Sequence, residues 1–135
     1  NNAFIGSGYA DMGIGAGYGQ GIKNVTVEHN VFTNGGSPLS IGDASTLRIR
    51  NNLFYLTPAY YCDGCIIANI DSTNNMVGPP GQYVGNVNFA GDIYNADIQF
   101  VNVNNWLGND GRPFTSDDGW RSTNSSISSV YGPQI

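Results

Sequence analysis

A polar pair followed by an apolar pair recurs along this chain, as "NNAF" at 1–4, "HNVF" at 29–32, "NNLF" at 51–54 and "NNMV" at 74–77. The flanks repeat as well. "NVTVEHNVF" at 24–32, "TLRIRNNLF" at 46–54 and "NIDSTNNMV" at 69–77 superpose with offsets of 22 and then 23 residues. Val25, Leu47 and Ile70 share one column, and Val27, Ile49 and Ser72 the next. Asn30, Asn52 and Asn75 share a third, and Phe32, Phe54 and Val77 a fourth. A fixed period in this range is the mark of an architecture built by stacking one structural unit upon another.

Within each segment the apolar columns lie two residues apart, which is the period of a half-buried strand and not of a helix. Gly, Asn, Ser and Thr supply the polarity in place of Lys and Glu, and these residues disfavour helix. Three short strands joined by turns in each 22-residue unit accommodate the spacing, with strands of successive units pairing in parallel ~4.8 Å apart. The expected fold is all-β: a right-handed parallel β-helix of about four to five rungs, a rod ~20–25 Å long, with irregular loops and a C-terminal tail. In such a stack the amides of Asn30, Asn52 and Asn75 bond one another along the axis and satisfy buried turn polarity. The phenylalanines stack as rings in the interior, and each buried ring contributes ~1.5–3 kcal/mol.

At 135 residues the chain reads as a single domain, with rungs over 1–103 and a turn-rich segment over 104–135. "GSGYADMGIGAGYGQG" at 6–21 is either a flexible lobe or a strand that lets another backbone approach closely. Strands are expected at Leu39–Ile41 and at "DIQFVNV", 97–103, with a longer loop and then a strand over 55–69 and an irregular excursion over 77–85. Charged residues make up only 11% and the net charge is −5, which argues against non-specific nucleic-acid binding. Without a run of eighteen apolar residues, no helical membrane insertion is expected.

The outward positions pair by charge, Arg48 facing Asp71 and Glu28 facing Arg50 across neighbouring strands. His29 aligns with Asn51 and Asn74 as a turn residue of a ladder. Ion pairing and turn geometry account for these residues without catalysis, and no two carboxylates share a strand face as glycoside hydrolysis requires. "NDGRPFTSDDG" at 109–119 is the best metal candidate, with Asp110, Asp117 and Asp118 as carboxylates and Asn109 as a carbonyl ligand for calcium. The alternative is a turn whose aspartates cap backbone amides. Cys62 and Cys65 form a C-x-x-C without a βαβ context, which reads as a local disulfide in an oxidising compartment. With one histidine, a four-ligand Cys/His zinc site cannot be built within one copy. Asn24 and Asn124 head glycosylation sequons. Eight tyrosines, three of them flanking the cysteines, suit sugar stacking, loop closure or a protein interface.

"IKNVTVEHNVF…LRIRNNLF" resembles the rungs of right-handed parallel β-helix proteins of the pectin-lyase-like superfamily. "NWLGNDGRPFTSDDGWR" at 105–121 is similar to a segment near the C-terminus of many secreted bacterial β-helix proteins, where an "FVDP…DGxxGTxDDGxRL" pattern follows the last rungs. The superfamily holds lyases, hydrolases, tailspikes, adhesins and proteins without known activity, so the resemblance implies fold more than function. It implies an extracellular or cell-surface location. A first rung with a bare strand edge, and no amphipathic capping helix at either terminus, implies docking on another copy or on further rungs. The expected function is a non-catalytic structural or surface protein that self-assembles end to end into a filament. The alternative is the C-terminal portion of a polysaccharide-binding or polysaccharide-degrading β-helix protein. The expected partners are accordingly other copies of the chain or cell-surface polysaccharide.

Overall fold

A computed structural model describes residues 1–6, 10–14, 23–34, 37–42, 46–55, 61–62, 66–78 and 89–134. The described chain is mostly β. Ten strands run β1 (Asn2–Ile5), β2 (Ala10–Ile14), β3 (Val25–Glu28), β4 (Asn30–Thr33), β5 (Ser37–Ile41), β6 (Leu47–Arg50), β7 (Leu53–Tyr55), β8 (Tyr61–Cys62), β9 (Ile70–Val77) and β10 (Gly91–Tyr94). One short helix, α1 (Ser125–Ser128), is capped by the Asn124 side chain, which accepts from the Ser126 N–H.

The named strands pair in parallel. A seven-stranded sheet has the order β1-β4-β7-β9-β6-β3, with β10 beside β9, and a three-stranded sheet has the order β2-β5-β8. The registers follow the sequence columns: Val25 lies opposite Leu47 and Leu47 opposite Ile70, while Phe32 lies between Phe4 and Phe54. The larger sheet turns sharply where His29, Asn51 and Asn74 take left-handed φ values of 54°, 55° and 58°. Asn tolerates that region because its short amide bonds locally, and three such residues in register place the corner at one height after another.

Two apolar clusters lie on opposite sides of β4 and β7. Val27, Phe32, Leu47, Ile49, Phe54 and Val77 of the larger sheet meet Ile14, Leu39 and Ile41 of the smaller one. Phe4, Phe32 and Phe54 stack with centroids 4.9 Å apart and planes within 6° of parallel. The second cluster joins Val31, Leu53 and Met76 to Ile98 and Trp120, with Tyr55, Phe100, Trp106, Ile127 and Tyr131 against it. Strand β4 is therefore buried at every position.

Three features depart from the sequence reading, and one of its two alternatives for the Gly-rich stretch is met. Residues 97–103 are not a strand: Asn95 and Gln99 take left-handed φ values of 54°, and only Phe100 forms a bridge, antiparallel to Ser122. The additional strand lies earlier, at β10. The segment from 104 onward is no loose tail, because Trp120 is buried and residues 131–134 are tied to the corner. Within the Gly-rich stretch, 10–14 form strand β2, paired to β5. Arg48 lies opposite Asp71 in register, yet the ion pair joins Asp71 to Arg50, one of whose NH groups reaches diagonally across. Arg50 thus serves Asp71 and not Glu28, although Glu28 is its register neighbour.

Candidate functional site

The corner column is the most constrained polar feature of the chain. Asn30, Asn52 and Asn75 are all buried. Asn2 Nδ2 donates to Asn30 Oδ1 at 3.0 Å, Asn30 Nδ2 to Asn52 Oδ1 at 3.0 Å and Asn52 Nδ2 to Asn75 Oδ1 at 2.9 Å. Each oxygen below also accepts from a backbone N–H above it: Asn30 N to Asn52 Oδ1 and Asn52 N to Asn75 Oδ1, both 3.0 Å. Because a backbone N–H cannot become an acceptor, these bonds fix every amide orientation and give the ladder a direction. The remaining amide hydrogens meet carbonyls, Asn52 Nδ2 reaching Val27 O and Arg50 O.

Among the described residues the column runs on to Asp92. Asn75 N and Nδ2 both donate to Asp92 Oδ1, at 2.9 and 3.0 Å, and Ser72 Oγ donates to Asp92 Oδ2 at 2.6 Å. Ser72 also accepts from Asn75 Nδ2 at 3.1 Å. This explains why a serine interrupts the apolar column of Val27 and Ile49: the buried hydroxyl serves both the last amide and the terminal carboxylate. Asp92 was not evident in the sequence. It follows Asn75 by 17 residues instead of 22 or 23, and the β9–β10 register shifts between Gly91 and Ile93. A polar residue directly before the strand-like pair "IY" was the available signal.

An outer ladder runs beside the inner one. Tyr131 Oη donates to Asn74 Oδ1 at 2.9 Å, Asn74 Nδ2 to Asn51 Oδ1 at 2.6 Å, and Asn51 Nδ2 lies 3.3 Å from His29 Nε2. His29 is thus held at the corner, aligned with Asn51 and Asn74. Gly132 N donates to Asn51 O, and Gln134 N to Asn1 Oδ1. Residues 131–134 therefore cross successive corners as a strap. Gly132 is needed there because its φ is +70° and a Cβ would lie 2.9 Å from Leu53 Cδ1. The paired apolar residues, Val31-Phe32, Leu53-Phe54 and Met76-Val77, were the sequence signal for this cover. Two consecutive buried residues in a strand require protein on both faces.

The calcium candidates lie together on one loop, engaged with its backbone. Asp117 Oδ2 accepts from Asn109 N and its Oδ1 from Thr115 Oγ1, at 2.6 and 2.8 Å. Asp110 Oδ1 accepts from Arg112 N, and Asp118 Oδ2 from Thr115 N. The Thr115 hydroxyl and then the Asn109 N–H hold the Asp117 carboxyl below its ordinary value. Burial pushes Asp118 up, the charges of Asp110 and Asp117 adding to it while the Thr115 and Phe114 N–H groups oppose. Gly119 allows the loop to close, since a Cβ there would lie 2.2 Å from the carbonyl oxygens of Asn102 and Asn105. Calcium takes six to eight oxygens, and on this loop Asp118 Oδ1 is a buried oxygen without a partner among the described residues. The hydrogen bonds present are those of an amide-capping turn, and among the described residues no group of three or more His, Cys, Asp or Glu side chains is placed to hold a metal.

Asn24 is exposed, whereas the Asn124 side chain is engaged as the cap of α1. The Cys62 and Cys65 side chains lie outside the described residues, and with them the disulfide. A concavity of about 400 Å³ is lined by Tyr55, Asp97, Gln99, Phe100 and Val103. Tyr55, Phe100 and Trp106 meet edge to face at its base, with centroids 4.9 to 6.1 Å apart. None of the described helices is long and apolar enough to cross a membrane. Comparison with family models, with curated proteins and with solved structures returns no match.

Proposed function

We propose that the chain forms a right-handed parallel β-helix similar to the pectin-lyase-like proteins, and that it acts as a non-catalytic structural module outside the cell or on its surface. The observation that carries this reading is the sealed corner face. Val31, Leu53 and Met76 point away from the phenylalanine stack, and Ile98, Trp120 and Tyr131 cover them. A polysaccharide laid along that strand face would have to displace this second core. The other strand face offers Arg50 and Asp71, already joined as an ion pair. Exposed pairs of this kind contribute little to stability, typically ~0–1 kcal/mol, which suits a solvated surface.

The groove at Tyr55 and Phe100 favours a second reading, a polysaccharide-binding module, because an aromatic base beside Asp97 and Gln99 has the makings of a sugar site. One experiment tests both. The purified chain is incubated with neutral and acidic polysaccharides while ultraviolet absorbance of unsaturated uronates, reducing ends and retention on immobilised glycan are followed. The structural reading expects no new ends and no retention. Retention abolished by Phe100→Ala supports the binding module, and cleavage by this chain refutes the non-catalytic assignment.

A further inference from the structure

We infer that the concavity beside Tyr55 and Phe100 seats an arginine side chain of another protein, its guanidinium stacked on an aromatic ring and hydrogen-bonded to the Asp97 carboxylate. The structural module proposed above thereby gains a partner, and the groove alone carries the assignment, whatever the handedness of the coil.

The aromatic wall is fixed in place. Tyr55, Phe100 and Trp106 meet edge to face, with interplanar angles of 66° to 89°. Tyr55 is backed by the main chain at Gly78, where a Cβ would lie 2.8 Å from Tyr55 Cδ2 and 3.3 Å from Ile98 Cδ1. Tyr55 and Phe100 are half-buried and both line the groove, so part of each ring stays open to it. The face of an aromatic ring carries the negative end of its quadrupole and attracts a cation placed over it.

The carboxylate is presented by an unusual stretch of backbone. Asn95 and Gln99 both take a φ of 54°, and between them Ile98 is buried while Asp97 is exposed. Asparagine tolerates the left-handed region, but glutamine seldom enters it, and such a residue persists only where its surroundings impose it. Here Gln99 N donates to Asp97 Oδ1 at 3.3 Å, and Gln99 O accepts from Thr123 N and Thr123 Oγ1 at 2.8 and 3.1 Å. The turn so held engages Asp97 Oδ1 and leaves Oδ2 without a donor among the described residues, in a side chain that lines the groove.

Charge then selects the occupant. None of the described residues lining the groove is lysine, arginine or histidine, and the chain carries a net charge of −5. A uronate would meet a carboxylate with no cation between them. A neutral sugar could donate hydroxyls to Asp97 but brings no countercharge. Lysine supplies the charge as a compact point without a plane to stack. Arginine answers both walls at once, its planar guanidinium lying on a ring while its N–H edge donates to the carboxylate.

The test titrates the isotope-labelled full chain with a capped glycine–arginine–glycine peptide, with the same peptide carrying citrulline, and with a neutral oligosaccharide. Backbone NMR shifts at Asp97, Gln99 and Phe100 report binding. Citrulline keeps the shape of the arginine side chain and loses its charge. The expected result is a saturable shift with the arginine peptide that fades as salt is raised, with affinity about tenfold weaker for the citrulline peptide and for the Asp97→Asn chain. Asp97→Asn keeps the oxygen that Gln99 N requires, so the turn is retained while the charge is lost. Phe100→Leu should also weaken binding; where that variant does not fold, the citrulline peptide and Asp97→Asn still decide. No shift with the arginine peptide, equal affinity for the two peptides, or tighter binding of the oligosaccharide overturns the inference. So does a dimer of the parent in sedimentation that Asp97→Asn abolishes, because the arginine would then come from a second copy. The glycan-retention experiment above reads the structural proposal separately, so either can fail while the other stands.

Discussion

Asn52→Ala is the substitution that most directly loads the ladder. Asn52 is fully buried, and its oxygen is the acceptor for both Asn30 N and Asn30 Nδ2. Its nitrogen supplies Val27 O, Arg50 O and Asn75 Oδ1. Alanine leaves the Asn30 backbone N–H buried without a partner, at ~1–3 kcal/mol, and removes donors from carbonyls that each gained ~0.5–1.5 kcal/mol. Asn30 Nδ2 keeps Glu28 O and Asn75 Oδ1 keeps the Asn52 N–H, so these two contribute less. The sum is a loss of about 3–5 kcal/mol, a large share of the ~5–15 kcal/mol that holds a single domain folded. The control is Asn51→Gly, which keeps the left-handed corner and removes only bonds of the half-exposed outer ladder; it should cost less than ~1 kcal/mol. Urea unfolding followed by tryptophan fluorescence measures both. Equal costs for the two substitutions, or a loss under about 1 kcal/mol for Asn52→Ala, would refute the reasoning, because water would then be replacing the amide.

Four further outcomes follow from the same geometry. Asp92→Asn keeps the Oδ1 acceptor and should be tolerated, whereas Asp92→Ala orphans the Asn75 N–H and should lower stability by ~2–4 kcal/mol in the same assay. Phe32→Ala, which removes the middle of three stacked rings, should cost ~3–5 kcal/mol by urea unfolding. Gly132→Ala meets Leu53 and a left-handed φ at once, so the strap should lift, with faster proteolysis after Tyr131 and a loss of ~1–3 kcal/mol. Asp118 concerns pH. Its raised pKa means the native chain holds the proton more tightly than the unfolded one, so the parent loses stability as pH rises from the ordinary carboxylate value through the raised one. Asp118→Asn should therefore melt higher than the parent at neutral pH, with the advantage shrinking in acid; an advantage independent of pH contradicts the assignment to burial of charge.

The columns of Asn30, Asn52 and Asn75 and of Phe32 and Phe54 were legible because equal spacing and period-two alternation coincide in "VTVEHNVF" and "LRIRNNLF". What lay beyond them was not. Asp92 sits past a register shift and replaces an amide with a carboxylate, so the equal spacing does not point to it. Residues 97–103 alternate like a strand, yet the left-handed Asn95 and Gln99 turn the chain so that Ile98 is buried while Val101 and Val103 are 45% and 41% exposed. Ile98, Trp120, Ile127 and Tyr131 follow no period, because a cover that crosses strands is specified by the surface beneath it and not by its own repeat. The 109–119 aspartates show the reverse case. Their spacing allowed either a cation site or a turn capping its own amides, and hydrogen bonds from Asn109, Arg112 and Thr115 supply the contacts of the second.

Backbone hydrogen exchange at Asn30, Asn52 and Asn75, measured by NMR in the native chain, addresses the central claim most directly. Each of these N–H groups donates to the next side-chain oxygen down the column. The account predicts that all three exchange only through global unfolding, with protection matching the full unfolding free energy and falling together in Asn52→Ala. Exchange at the pace of exposed turn amides, or protection that differs widely among the three, would mean that no shared column joins them.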